Sequence, residues 1–548
     1  MNEAAMNEAE LIDHARKFAA VRDVVMTHSQ YAEAELDPDA LLQEELGIDS
    51  IMLAAIVADL QKVFQGAERV SADQFDTLGA LIQGFARFAL EPAATFRSAP
   101  AEAAQTECAA QAGEQSGQSA QGEQREQRGQ EDARLTMRDF IGGGESDLFA
   151  KARRFSRFLQ EREAHGEFWY GMASNGLCAN RARIFDKYEG REREFLLFAS
   201  NNYLGLANDP RVIEAMTAAV REYGATNTGS RLIGGTTRLH LALEQRLARF
   251  KGREDCIVFP SGYSANLGTI SALLGANDLV ITDVYNHMSI QDGCKLSGAA
   301  KKIYAHNDMA SLEDVLRRAD GKPGGRLIVA DGVFSMHGDV VDLPGLTRLA
   351  RKYGAKVLID DAHSTGVLGA TGSGTTEHFG MKGAADLEVG TMSKALGGQG
   401  GFVAGDQEVI DYLRFYANAY VFAATIPAAV AAGLIASLDI LEAEPQRLQR
   451  LWDNIRYLKS TLEGCGFDTE QSASAIIPIV IGDEGRAMAM GRSVRRRGLF
   501  CQTVVFPGVA VGDARLRISV LASHTREDLD EALRILVEAA HENRLLAQ

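Results

Sequence analysis

"LEVGTMSKALGGQGG", residues 387–401, sets a single lysine, Lys394, among small and hydroxyl residues just after a short apolar run. The run "LEVGT" has the form of a buried strand, and the glycines behind it mark a turn. A lysine at a strand end is commonly a solvated surface residue. Small neighbours, however, also leave room for a bound group. The choice depends on whether other chemistry-bearing residues stand at equivalent strand ends.

Several do. "LIDDAHSTG", 358–366, puts Asp360 and His363 at the carboxyl end of another apolar run. "TDVYNHMSI", 282–290, and "DGVFSMHGDVVDLP", 331–344, add His287 and Ser335, again after strands. "FPSGYSAN", 259–266, passes from strand to helix through Ser261 and Gly262, where backbone N–H groups can face a phosphate. Each piece alone has a structural reading, as a buried hydrogen-bonded pair or a common turn. The strands "DCIVFP", "DLVITD", "KKIYAH", "RLIVADGVFS", "KVLIDDAH" and "LEVGT" alternate with amphipathic helical stretches. That alternation predicts a largely parallel sheet with helices on both faces, whose ligands bind at the carboxyl ends of the strands.

The rest of the chain divides by composition. At 548 residues it exceeds one hydrophobic core, so two or three domains are expected. Residues 1–95 read as helical. From Arg97 to Asp139 there is no Val, Ile or aromatic residue, and "AQAGEQSGQSAQGEQREQRGQ" is too polar to bury a core. Residues 96–139 are therefore expected to be a flexible linker, spanning roughly 30–35 Å as a coil. Residues 140–548 form the remaining module, with a large domain over about 190–440. After 440, "AIIPIVIG", "CQTVVFP" and "ARLRISVLA" predict a smaller α/β lobe.

A formal charge of −17 argues against nucleic acid and anionic membrane as partners. The six cysteines, Cys108, Cys178, Cys256, Cys294, Cys465 and Cys501, show no zinc spacing, so no metal is expected. Their sparsity suggests reduced thiols and a cytoplasmic setting. The acidic, amphipathic start "MNEAAMNEAELIDHARKF" does not read as a secretory signal. "YVFAATIPAAVAAGLIASL", 420–438, is uncharged but Ala-rich and interrupted by Pro427, which predicts a turn and a buried helix rather than a membrane span.

"LLQEELGIDSIMLAAIVADLQKVF", 41–64, places Asp49 and Ser50 before a stripe of Ile51, Leu53, Ile56, Val57, Leu60 and Phe64. A capped amphipathic helix would explain this much. The "LGIDSI" loop, a helix at about 9–27 and the later "QFDTLGALIQGFARFAL" together resemble acyl carrier proteins over residues 8–92. The resemblance implies an all-α four-helix bundle carrying 4′-phosphopantetheine on Ser50, served by a phosphopantetheinyl transferase and an upstream acyl-loading enzyme.

Over residues 190–545 the chain resembles pyridoxal-phosphate enzymes of fold type I, specifically the α-oxoamine synthases. "FASNNYLGLANDP", "GSRLIGGTTRLHLALEQRLARF", "FPSGYSAN", "YNHMSI", "DGVFSMHGD", "IDDAHSTGVLG", "GTMSKALGG" and "ARLRISVLASH" occur in family order. The resemblance implies that Lys394 binds pyridoxal phosphate covalently and moves the α-proton. Asp360 pairs with the pyridine nitrogen, His287 stacks on the ring, and His363 and Ser335 bond the ring oxygen. Thr391 with Gly262 and Tyr263 holds the phosphate, and Asn201 with Arg517 holds the amino-acid carboxylate. It further implies a homodimer and a decarboxylative condensation of a small amino acid (glycine, alanine or serine) with an acyl thioester, here delivered by the fused carrier for natural-product or specialised-lipid synthesis. A sphingoid-base synthase, an aminotransferase and an inert scaffold are the competing functions. The chain departs from the family at "FAATIP", 422–427, where Ala423 and Ala424 leave only Thr425 to reach a partner subunit's phosphate. It also has His337 where some members have Asp.

Overall fold

The computed structural model describes residues 8–29, 42, 50–65, 67, 70, 75, 77–90, 137–140, 147–321 and 323–546. The chain divides into two compact units, Met1–Trp169 and Tyr170–Gln548. Most of the 96–139 segment expected to be a linker lies outside the described residues.

In the first unit, helices Glu8–Ser29, Ser50–Val63 and Leu78–Ala86 enclose an apolar core. Leu53, Ile56, Val57, Leu60 and Phe64 of the expected stripe are buried there, against Val21, Val25, Leu81 and Phe85. The hydroxyl of Thr77 caps the third helix by accepting from the N–H of Ala80 at 3.1 Å. Ser50 is the first residue of its helix. The loop before it, including Gly47 and Asp49, lies outside the described residues. Three helices of the four expected are present among the described residues. A short antiparallel pair, Phe64–Gln65 with Ala89–Leu90, accompanies them.

The second unit is built on a seven-stranded sheet: β1 (Asp255–Phe259), β2 (Leu279–Asp283), β3 (Ala300–Tyr304), β4 (Arg326–Asp331), β5 (Lys356–Asp360), β6 (Leu387–Thr391) and β7 (Gly401–Gly405). Their order is β1-β7-β6-β5-β4-β2-β3. Only β7 runs antiparallel to its neighbours. Residues of both faces are buried along β5 and β6, as a parallel sheet covered by helices requires. β2, β4, β5 and β6 end on Asp283, Asp331, Asp360 and Thr391, so polar side chains collect at one edge of the sheet.

A second sheet, Ile476–Gly482, Ala514–Ser519 and Gln502–Val504, is antiparallel and forms the C-terminal lobe. Strand Arg191–Leu197, placed by sequence at the start of the large domain, instead pairs with Leu499–Phe500 of that lobe and with Arg181–Asp186. Residues 420–438 fold as expected. A short helix Asn418–Val421 and the buried helix Ala428–Ala443 flank Pro427. Among the described residues no helix is long and apolar enough to cross a membrane.

Behind the strand ends lies a fully buried ionic cluster. Lys251 Nζ donates to Asp361 Oδ2 at 2.5 Å and stands 3.4 Å from Glu388. Burial pushes the Glu388 carboxyl up, which limits the charge the cluster holds. Lys251→Met leaves Asp361 unpaired in a dry site, so it should destabilise the unit by about 3–5 kcal/mol. Urea unfolding checks this, and a loss under about 1 kcal/mol would contradict it.

Candidate active site

The polar edge of the large sheet opens into a cavity of about 270 Å³. Lys394, Asp360, His363, His287, Ser335, Thr391, Gly262 and Tyr263 all line it. Eight sequence candidates, drawn from five separate segments, thus converge because each ends or follows a strand of one sheet or opens the helix behind one.

Lys394 sits in the turn after β6, its Nζ 2.8 Å from His363 Nε2. Burial pulls its amine down to about 8, against the opposing charge of Asp360. About a tenth is therefore neutral, and nucleophilic, at pH 7, far more than for an ordinary lysine. Asp360 accepts from Asn266 Nδ2 at 2.6 Å and from the N–H of Ala362 at 2.8 Å, two donors that stabilise its negative charge. His287 caps helix Met288–Ser297. Its Nδ1 accepts from the N–H of Ser289 at 3.2 Å and contacts the Ser289 hydroxyl at 2.8 Å. Burial keeps its imidazole below the ordinary range.

Helix Gly262–Leu273 points its first turn at the cavity, capped by Ser261, which accepts from the N–H of Ser264 at 3.0 Å. The N–H groups of Gly262 and Tyr263 have no acceptor within the helix, as in any first turn. A Cβ at Gly262 would come 3.0 Å from the Cβ of Thr391, so glycine lets the strand end and the helix start meet. Thr391 and Ser393 exchange a hydroxyl hydrogen bond of 2.8 Å beside them.

Asn201 and Arg517 lie next to this group and meet each other. Arg517 Nη1 and Nη2 are each 3.4 Å from Asn201 Oδ1, and Arg517 Nε donates to the carbonyl of Ser335 at 2.6 Å. Thr425 is not among the residues that line the cavity. Its N–H donates to the carbonyl of Gly229 at 3.1 Å, beside an isolated bridge between Ser230 and Ala424.

The structure adds residues the sequence reading passed over. Asp331 ends β4, lines the cavity, and faces Asp360 across the β4–β5 ladder. Burial, reinforced by the Asp360 charge, holds its carboxyl well above the ordinary range. Asn266 anchors Asp360, and Tyr203 contacts His363 at 2.8 Å. All three stand inside the motifs named above, but their roles depend on contacts across 29 to 160 residues that no local pattern encodes.

The aminotransferase class I and II family model matches residues 193–536, and a phosphopantetheine attachment site model matches residues 19–84. The 8-amino-7-oxononanoate synthase of Symbiobacterium thermophilum is 46% identical over 354 residues, covering 65% of this chain and 90% of the relative. The chain belongs to the α-oxoamine synthase family. The synthase is also 54% identical over 526 residues to the 4-hydroxy-2,2′-bipyrrole-5-methanol synthase PigH of Serratia sp., covering 95% of this chain and 80% of the relative. Among solved structures, serine palmitoyltransferase from Sphingomonas wittichii superposes with a TM-score of 0.70 at 34% identity, over 73% of this chain and all of that one. The synthase is thus a pyridoxal-phosphate enzyme that condenses an acyl group with an amino acid, with a phosphopantetheine domain at its N-terminal side.

The cavity fits that cofactor. Among the described residues, the buried Asn266 Oδ1 has no hydrogen-bond partner, a primary amine projects inward, and the helix start offers N–H donors for a phosphate. No cluster suited to a metal ion occurs among the described residues.

Proposed function

We propose that the synthase joins serine to an acyl group carried as a thioester on the phosphopantetheine arm of its own Ser50. The observation that carries this reading is Lys394, with its amine near pH 8, in a cavity with Asp360, His287 and His363, in the same chain as a carrier domain. The acyl carbon–sulfur bond breaks and a carbon–carbon bond forms at the serine α-carbon. The carboxyl group leaves as carbon dioxide, the carrier thiol regains a proton, and an α-amino ketone remains. The choice of serine is supported by the product named for the Serratia relative, 4-hydroxy-2,2′-bipyrrole-5-methanol. A hydroxymethyl on a ring carbon flanked by nitrogen and by an oxygen-bearing carbon is the skeleton left by acylated, decarboxylated serine.

Pyridoxal phosphate supplies the electron sink for the pair left on the α-carbon. Lys394 holds the cofactor and moves the α-proton. Asp360 keeps a counter-charge at the ring nitrogen, and His287 covers the ring face. His363 and Ser335 stand at the ring oxygen. Thr391, Gly262 and Tyr263 hold the phosphate, and Arg517 with Asn201 grips the serine carboxylate.

The synthase would act as a homodimer, for which an exposed apolar patch offers a surface. Ile233 is 87% and Phe422 82% exposed, and both flank the bridge joining Ser230 to Ala424. A second copy covering that apolar patch would bury Ile233 and Phe422, with Thr425 close to Phe422 in sequence. A phosphopantetheinyl transferase and an acyl-loading enzyme are the protein partners this chemistry needs.

Asp360→Asn tests the site. It preserves shape and removes the charge, so exchange of the serine α-proton should fall about 10²-fold or more while cofactor remains bound. Deuterium exchange followed by proton NMR reads this, and exchange within fivefold of the parent would refute the role.

A further inference from the structure

We infer that Tyr203 is a positioning residue that fixes His363 in one tautomer, with its proton on Nδ1 and the Nε2 lone pair turned toward Lys394. The direction of every hydrogen bond in the chain leading there follows from Arg517. A guanidinium only donates and keeps its protons. Two of its nitrogens face Asn201 Oδ1 at 3.4 Å, and the Ser519 hydroxyl faces the same atom at 3.5 Å. The amide oxygen, and not the amide nitrogen, must therefore point at Arg517.

Tyr203 lies 3.1 Å from that oxygen. An amide oxygen only accepts, so the tyrosine O–H donates to it. Tyrosine has one hydroxyl proton, now committed. Its oxygen can only accept from His363 Nδ1, 2.8 Å away. Burial, then the charge of Lys394, push the His363 imidazole well below its ordinary range, so it is neutral with a single N–H. That N–H is on Nδ1. Nε2 is left bare, 2.8 Å from Lys394 Nζ, which donates to it. Tyr203 is 1% exposed and His363 7%, so bulk water does not compete for these bonds.

The consequence for catalysis rests on the reading of Lys394 and His363 given above. Arg517 and Asn201, beyond gripping a carboxylate, orient the acceptor for the Lys394 N–H. For His363 to donate to a ring oxygen through Nε2, it must take up a second proton when the cofactor enters.

Nitrogen-15 NMR of the cofactor-free full chain, labelled at histidine, tests the tautomer. The His363 signals are identified by their loss in His363→Gln. The expected pattern is a protonated Nδ1 and a bare Nε2. Tyr203→Phe removes the acceptor, and at least half of His363 should then carry its proton on Nε2. Asn201→Asp keeps an accepting oxygen and should keep the parent pattern. A parent protein with its proton on Nε2, or a Tyr203→Phe protein with an unchanged pattern, overturns the inference. If Tyr203→Phe does not fold, the parent pattern alone decides. Adding pyridoxal phosphate to the parent should then protonate Nε2 while Nδ1 keeps its proton. The tautomer is measured without cofactor, and covalent capture by Lys394 is measured without reference to the tautomer, so the two readings fail separately.

Discussion

Lys394→Ala should leave no covalent cofactor after borohydride reduction and should lower turnover by at least about 10³-fold, some 4 kcal/mol of barrier. On the proposed function the effect is large because this one side chain would both hold the cofactor and move a proton, and among the described residues lining the cavity there is no second amine. Arg517 approaches the site, but a guanidinium remains charged and is not a nucleophile. Intact and peptide mass spectrometry read the adduct, and a reduced adduct on another lysine would contradict the assignment. The pH dependence follows from the depressed amine. A lysine held near 8 is mostly protonated at pH 6 and mostly free at pH 9. The rate of cofactor capture should therefore rise about tenfold per unit below 8 and level off above it. A rise that continues to pH 10 would mean the cavity does not desolvate the amine.

Ser50→Ala should abolish phosphopantetheinylation and reduce turnover of carrier-borne acyl groups below about one part in 10³. No neighbouring hydroxyl replaces Ser50 in "LGIDSIML". Lys394 belongs to the other compact unit, so cofactor binding and the first step with serine should match the parent. A soluble thioester should still be used, but without the effective concentration of order mM that a tether provides. Its rate should therefore stay proportional to added thioester up to that range. Full activity of Ser50→Ala when acyl supply depends on the carrier would make the first unit a bystander.

The parallel sheet was legible because its strands are short apolar runs, four of them closed by Asp or Thr, a pattern that needs no tertiary knowledge. β7 was not, since "GFVAG" between glycines reads as part of the turn after Lys394, and only its antiparallel ladders to β6 and β1 define it. The hairpin of Arg181–Asp186 and Arg191–Leu197 was missed for a different reason. Its residues alternate charges with apolar groups, and its partner Leu499–Phe500 lies some 300 residues on. In the site, Lys394, Asp360 and His363 were readable as strand-end chemistry. Asp331 shares that position, but what distinguishes it is the upward push on its carboxyl from burial and from Asp360, which only the folded sheet imposes. Tyr203 reads as a core aromatic until its hydroxyl is seen between His363 and Asn201.

The most direct measurement loads the Ser50 arm of the full chain with an acyl group, adds serine and pyridoxal phosphate, and follows three species together. Intact-protein mass spectrometry reads acyl loss from the carrier, a trapped-gas assay reads carbon dioxide, and small-molecule mass spectrometry reads the amino ketone. The expected result is one carbon dioxide and one α-amino ketone for each acyl group lost, with a free carrier thiol left behind. Amino-group transfer with no carbon dioxide released and the acyl group still on the arm would instead mark an aminotransferase and contradict the proposed function.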